Sequence, residues 1–247
     1  MAGSEAAVEI RQLFQLDEFE RVVELQREIW GFADLELLPL RFLVVVSKVG
    51  GHVFGAFDRG RMVGFCFAIP GIKPGAMPYL HSHMLGVLPE YRNAAVGRRL
   101  KLVQREEALA RGIQLIEWTF DPLELKNAFL NIEKLGAIVR RYVPNLYGTT
   151  SSPLHGGLPT DRMYAEWWLE CPARPRPVKA VERIAYPANI AAIRAEDPER
   201  AIAIQAENGR RFQEAFARGL AVTGFERSDA EGTYLLEDAN FVRPCSG

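Results

Sequence analysis

Cysteine and histidine are scarce in this chain: three and four among 247 residues. Cys66, Cys171 and Cys245 are far apart and odd in number. That excludes a disulfide framework and any closely spaced metal-ligand set, and fits a reducing cytoplasm. Neither sign of charge dominates, with 30 Lys and Arg against 31 Asp and Glu. No overall basic field therefore draws the chain to nucleic acid or to an anionic membrane. Long apolar runs are missing as well. The nearest, residues 37–46, carries Pro39 and Arg41 and falls short of the ~20 residues of a membrane span. Residues 1–12 hold Glu5 and Glu9 without a sustained apolar stretch, unlike a signal peptide. Internal repeats and low-complexity tracts are also lacking. These absences leave a cytoplasmic protein with no metal, no nucleic-acid partner and no membrane partner as the expectation.

What is present is an ordinary globular composition, 48% hydrophobic and 25% charged. The length suits one large domain, or one domain with an appendage. Hydrophobic periodicity and breaker residues predict a strand over residues 7–13 and a helix from a capping Asp17 through Trp30. Pro39 opens a second helix running to about Val49. Strands over residues 52–57 and 62–69 flank Asp58-Arg59-Gly60, a hairpin turn. Gly and Pro recur through residues 70–78, which read as a loop. A strand over residues 79–87, a helix over 96–110, a strand over 113–120, a helix over 123–135 and strands over 137–143 and 163–169 follow. Three prolines in residues 171–178 predict an extended linker. Residues 179–247 read as a small α+β extension, with strands near 178–184, 220–225 and 233–236 and a helix over 197–218. It is too short for an independent core, so it is expected to dock on residues 1–170. Ala201, Ile204, Phe212, Phe216 and Phe225 would pack against that domain, each other or a second copy in a homodimer.

The most informative stretch is Val87-Leu88-Pro89-Glu90-Tyr91-Arg92-Asn93-Ala94-Ala95-Val96-Gly97-Arg98-Arg99. A strand, a short loop of small residues and a helix start make an anion site. The first helical N–H groups lack intrahelical partners, and the dipole adds partial positive charge there. Arg98 and Arg99 oppose that dipole unless an anion sits beside them. The spacing Arg92-x-x-Ala95-x-Gly97, preceded by Val-x-Pro-Glu-Tyr-Arg, resembles the acyl-CoA pyrophosphate loop of the GNAT acyltransferase superfamily. The element order over residues 7–170 is similar to that of a GNAT domain. The resemblance implies a mixed α/β fold, a central mixed sheet flanked by helices. It also implies acyl-CoA as co-substrate and acyl transfer to an amine. Ala95 departs from the usual glycine, and an alanine there calls for a negative φ.

Carried residue by residue, the resemblance puts the pyrophosphate at Arg92, Asn93, Ala94, Ala95, Val96, Gly97 and Arg98. The pantetheine arm would enter between the strands 79–87 and 113–120 and pair with the backbone of Leu85, Gly86 and Val87. Strand alternation places His81, His83, Leu85 and Val87 on one face and Ser82, Met84 and Gly86 on the other. His83, with His81 behind it, is the candidate general base; the alternative is a pair of structural histidines. Asp121, ending the next strand, could hold the amine or simply cap the following helix. In that helix, aligned on Leu135-Gly136, the family's acidic tyrosine is replaced by Ile132. Asn127 and Asn131, one turn apart, are candidates to hydrogen-bond the cofactor, and Tyr142 or Tyr147 could supply a phenol.

The segment from Trp118 to Leu123, with Asn127-Ala128 and Lys134-Leu135-Gly136-Ala137, looks like a subgroup of longer bacterial GNAT proteins. Some of those are associated with N-acylation of amino acids, including with succinyl groups. A succinyl carboxylate would need a cation, for which Arg140, Arg141 and Arg162 are candidates. The leading expectation is an N-acyltransferase using acetyl-CoA or succinyl-CoA on a small-molecule amine. A GNAT-like module that binds acyl-CoA without turnover is the alternative.

Overall fold

The computed structural model describes residues 8–92, 94–148, 157–171 and 179–239. The chain forms two compact units, Met1–Ile116 and Glu117–Gly247. Packing therefore divides it elsewhere than at the proline-rich linker, and residues 179–239 share a unit with the strands and helix that precede that linker. Residues 172–178 lie outside the described residues.

In the first unit, β1 (Glu9–Gln12), β2 (His52–Asp58), β3 (Arg61–Lys73) and β4 (Met77–Val87) form an antiparallel sheet in that order. Arg59 and Gly60 both take positive φ (48° and 82°), the geometry that lets a two-residue turn follow the twist of its strands. The expected loop over residues 70–78 is corrected: β3 runs on to Lys73 and β4 begins at Met77. The turn is confined to residues 74–76, where Gly75 and Ala76 have positive φ. Glycine and proline signalled the turn but not how short it is.

Helix α1 (Leu16–Trp30) is capped by Glu18, whose carboxylate accepts the Phe14 and Gln15 amides at 2.9 and 3.0 Å. Asp17 thus lies inside the first turn instead of capping it. Helix α2 (Leu40–Lys48) follows Pro39, and α3 spans Val96–Ala110. Successive β3 residues show the layering. Phe65 meets Trp30 of α1, ring centroids 5.8 Å apart, while Cys66 Sγ points to the Leu100 carbonyl of α3 at 3.8 Å. The core lies between each sheet face and its helix, and includes Phe19, Val22, Leu25, Leu43, Phe65, Phe67, Val96 and Leu100.

β5 (Leu115–Phe120) carries the chain from the first unit into the second. The expected helix over 123–135 is a short α4 (Leu125–Ala128) that widens into a π-helical turn, Phe129–Lys134. β6 (Ile138–Val143), β7 (Arg162–Trp168), β8 (Glu182–Pro187), β9 (Leu220–Arg227) and β10 (Glu231–Asp238) complete the strands, in the order β7-β6-β9-β10-β8. β9 pairs with β6 at Val139 and Val222. Helix α5 (Ile190–Glu196) escaped the sequence reading. α6 (Pro198–Ala217) starts after Asp197, which accepts the Arg200 amide at 3.1 Å. Ala201, Phe212 and Phe225 are buried and Ile204 and Phe216 half-buried. The Tyr142 and Phe212 rings stack at 5.8 Å.

Candidate functional site

The pairing of β3 with β4 slips by one residue. Met84 faces Phe67 and Ser82 faces Ala68, leaving His83 as the extra residue of a β-bulge. Before the bulge, Ser82 turns to α3, where its Oγ donates to Gln104 Oε1 at 2.9 Å. After it, Leu85 turns to α3, because a Cβ on Gly97 would lie 3.3 Å from Leu85 Cδ2. Gly86 points the other way, where a Cβ would meet Trp30 and Ile29 within 2.8 Å. The expected alternation is therefore corrected: Ser82 shares a face with Leu85 and Val87, and the bulge releases His83 from the ladder. Its ring reaches solvent and lies 5.4 Å from the Phe67 ring and 5.9 Å from that of His81. Protein packed beside the imidazole partly desolvates it and pulls its pKa below the usual histidine value. A histidine so placed is neutral near pH 7 and can accept a proton.

At the other end of β4 the chain turns sharply into α3. Ala95 is left-handed, φ 55° and ψ 11°, against the negative φ that an alanine calls for. For an L-residue this costs about 1–2 kcal/mol. At the start of α3 the Arg99 amide donates to the Ala95 carbonyl, 3.0 Å. The amides of Val96, Gly97 and Arg98 lie in the first turn of α3, at the positive end of its dipole. Val96 is buried and anchors the turn, while Ala94, Ala95 and Arg98 are exposed. Arg92 Nε donates to the Val87 carbonyl at 3.3 Å. Arg99 donates to the Val8 carbonyl at 2.5 Å, which directs it away to the start of β1. Asn93 lies outside the described residues.

Sequence reading missed a polar group beneath this surface. Lys101 Nζ donates to Ser82 Oγ at 2.6 Å, and burial pulls the lysine down to about 7. The signal was available: Lys101 and Gln104 interrupt the stripe Val96, Leu100 and Ala108 that α3 buries.

The remaining candidates belong to the second unit. Asp121 Oδ1 accepts the Leu123 amide at 2.8 Å, and Arg194 Nη1 lies 3.7 Å from Oδ2. Burial outweighs these contacts and the nearby Arg162 and pushes the carboxyl up to about 6. Asn127 is exposed and Asn131 buried. The expected shared face is corrected, because the π-helical turn breaks the four-residue repeat. Ile132, at the tyrosine position of the resemblance, is fully buried. Of the three arginines, Arg140 pairs with Glu166 at 2.8 Å and Arg141 lies over the Tyr164 ring at 3.4 Å. Arg162 sits 5.4 Å from the Tyr147 ring, whose hydroxyl is 2.9 Å from Thr119 Oγ1. Tyr142 donates to the buried Asp161 carboxylate, and burial holds this phenol far above its usual pKa. It is a structural group in that state. Among the described residues no cluster could hold a metal ion, and no helix is long and apolar enough to cross a membrane.

No family model matches the sequence, and no curated protein matches it at a significant level. Solved structures do match in fold. Arabidopsis thaliana NAA60 in complex with acetyl-CoA aligns at TM-score 0.55 and 14% identity, over 67% of this chain and 100% of that one. Salmonella typhimurium yncA with its cofactor acetyl-CoA aligns at 0.52 and 16%, over 69% and 99%. A GNAT-family protein from Desulfovibrio desulfuricans aligns at 0.52 and 16%, over 66% and 99%. The chain has the GNAT fold, and at these identities the likeness extends to the fold alone.

Proposed function

We propose that this chain binds acyl-CoA at the junction of β4 and α3 and transfers the acyl group to a primary amine of a small molecule such as an amino acid. The carrying observation is the left-handed turn at Ala95, which starts α3 with Val96, Gly97 and Arg98 at the end of the strand that bulges at His83. In this reading the diphosphate lies on the Val96, Gly97 and Arg98 amides with Arg92 and Arg98 beside it. The pantetheine arm runs along the backbone of Leu85, Gly86 and Val87, whose polar groups hold and polarise the thioester carbonyl. Neutral His83, with His81 next to it, takes a proton from the acceptor's ammonium. The amine then attacks the carbonyl, the C–N bond forms, the C–S bond breaks, and CoA leaves as a thiolate that takes up a proton. Binding of CoA-bearing ligands by several structures of this fold supports the donor class. Acetyl-CoA is the first donor to test and succinyl-CoA the second.

Naa50 of Arabidopsis thaliana was solved with a CoA-peptide bisubstrate analogue, so peptides belong in the acceptor panel. The experiment is release of CoA thiol from acetyl-CoA and succinyl-CoA with amino acids, polyamines and short peptides. Turnover with amino acids supports the proposal, and turnover confined to peptides overturns the acceptor class. The buried Ile132 in place of a phenolic acid favours a second reading, an acyl-CoA-binding module. Tight CoA binding without turnover on any acceptor would establish that reading instead.

A further inference from the structure

Ala95 is held in a conformation that alanine disfavours, so something outside the residue must fix it. The hydrogen bonds leading into the turn identify what does. Tyr91 closes a short 3-10 turn, Pro89–Tyr91, with its amide on the Leu88 carbonyl at 2.9 Å. Its own carbonyl accepts the Ala94 amide at 3.2 Å, one residue before the strained position. Its hydroxyl leaves the turn altogether and donates to Asp58 Oδ2, 2.7 Å away at the end of β2. A second, exposed tie runs parallel to it, Arg61 to Glu90 at 3.3 Å. The β2–β3 hairpin thus clamps the turn through the Tyr91 side chain, and the Tyr91 backbone passes the restraint on to Ala94.

Among the described residues the buried Asp58 Oδ1 has no hydrogen-bond donor, which is unfavourable for a carboxylate oxygen.

We propose that Tyr91, held by Asp58, is a positioning residue for the diphosphate of acyl-CoA. It fixes the turn in which left-handed Ala95 aims the Val96, Gly97 and Arg98 amides at one anion. The inference rests on the acyl-CoA reading above and adds residues that touch no substrate.

The test is calorimetric titration with CoA, together with the 31P spectrum of the bound ligand. Tyr91→Phe deletes only the hydroxyl, and Asp58→Ala deletes only its acceptor. Each should raise the CoA dissociation constant about three- to tenfold, the worth of one hydrogen bond. Each should also reduce the diphosphate shift on binding while leaving that of the 3′-phosphate. Asp58→Asn keeps an acceptor oxygen and should bind CoA within about twofold of wild type. Ala95→Gly in the Tyr91→Phe background should recover most of the lost affinity, since glycine needs no enforcement there. A purely structural role would lower the unfolding temperature without this pattern of rescue. Unchanged CoA affinity in both Tyr91→Phe and Asp58→Ala, or no recovery by Ala95→Gly, overturns the proposal. Absence of CoA binding by the wild-type protein instead defeats the acyl-CoA reading itself, so the two failures are distinguishable.

Discussion

Gly209 of α6 lies against the Tyr142 hydroxyl of β6 so closely that a Cβ on the glycine would sit 2.7 Å from the phenolic oxygen. The hydroxyl is not free to yield, because it donates to the buried carboxylate of Asp161. One helix position beyond the proline-rich linker is thereby fitted to a strand before it. Gly209→Ala sets two effects against each other. Helix propensity gains about 1 kcal/mol, while overpacking costs about 1–3 kcal/mol and displacing the phenol strands Asp161 at a similar further cost. The clash wins, and denaturant unfolding should show a net loss of about 1–5 kcal/mol.

The same packing predicts the fate of a truncated chain. β9 pairs with β6, and Phe212 stacks on Tyr142, so a chain ended at Leu169 would expose the face that α6 and β9 cover. Each large buried side chain lost costs roughly 1.5–3 kcal/mol. The truncated protein should be insoluble or strongly destabilised. Recovery after limited proteolysis of a stable, active fragment ending near residue 175 would contradict this.

Asp121 should trade stability for function. Its carboxyl titrates at about 6 in the fold, above the 3.8 of an ordinary aspartate. The native state therefore holds more protons than the unfolded chain between those values, and stability falls as pH rises through that window. Asp121→Asn removes the penalty. The variant should be more stable than wild type at pH 7.5 by about 1–3 kcal/mol, with the gap closing as pH falls below about 4. Thermal unfolding across pH measures it, and thiol release on the same samples reads what the carboxyl does for turnover.

His83→Ala should lower turnover by roughly 10²–10⁴-fold, the usual contribution of a positioned base, with little change in CoA affinity. Because desolvation lowers the His83 pKa, the acid limb of the wild-type pH–rate profile should lie below that of an ordinary histidine. Near wild-type turnover in both His83→Ala and His81→Ala would assign the proton to water or another group.

Ala95→Gly should stabilise the protein. Relieving the left-handed alanine returns about 1–2 kcal/mol, and the added freedom of glycine in the unfolded chain takes back about 0.4–1 kcal/mol. A net gain of about 0.5–1 kcal/mol in chemical denaturation is expected, with CoA affinity retained. Gly97 is a poorer probe of the anion site, because its missing side chain also leaves room for Leu85. A bulky residue there would disturb the packing of α3 on β4 as well as the approach of a phosphate.

Local signals in the sequence were enough for the order of elements, and for α3 they were enough for its limits. Its apolar stripe, the small residues before Val96 and Gly112 after it mark Val96–Ala110 without reference to any neighbour. The Asp58-Arg59-Gly60 turn was legible for the same reason: it depends on residues adjacent in the chain. The strand, small residues and helix start at the β4–α3 junction, on which the acyl-CoA proposal rests, were also legible, since they are adjacent in the chain. Tertiary structure decided the rest. The bulge at His83 depends on the register between β3 and β4, and one slipped residue reverses which side chains share a face. The left-handed state of Ala95 depends on an anchor at Asp58, 37 positions earlier in the chain. Lys101 became a buried group near neutrality because α3 lies on Ser82. The division of the chain fell inside β5, not at the prolines, because β9 found an edge on β6. Periodicity and capping act over a few residues and can be read from composition in order. Register, burial and strain are set by contacts between distant segments, and those exist only once the chain has closed on itself.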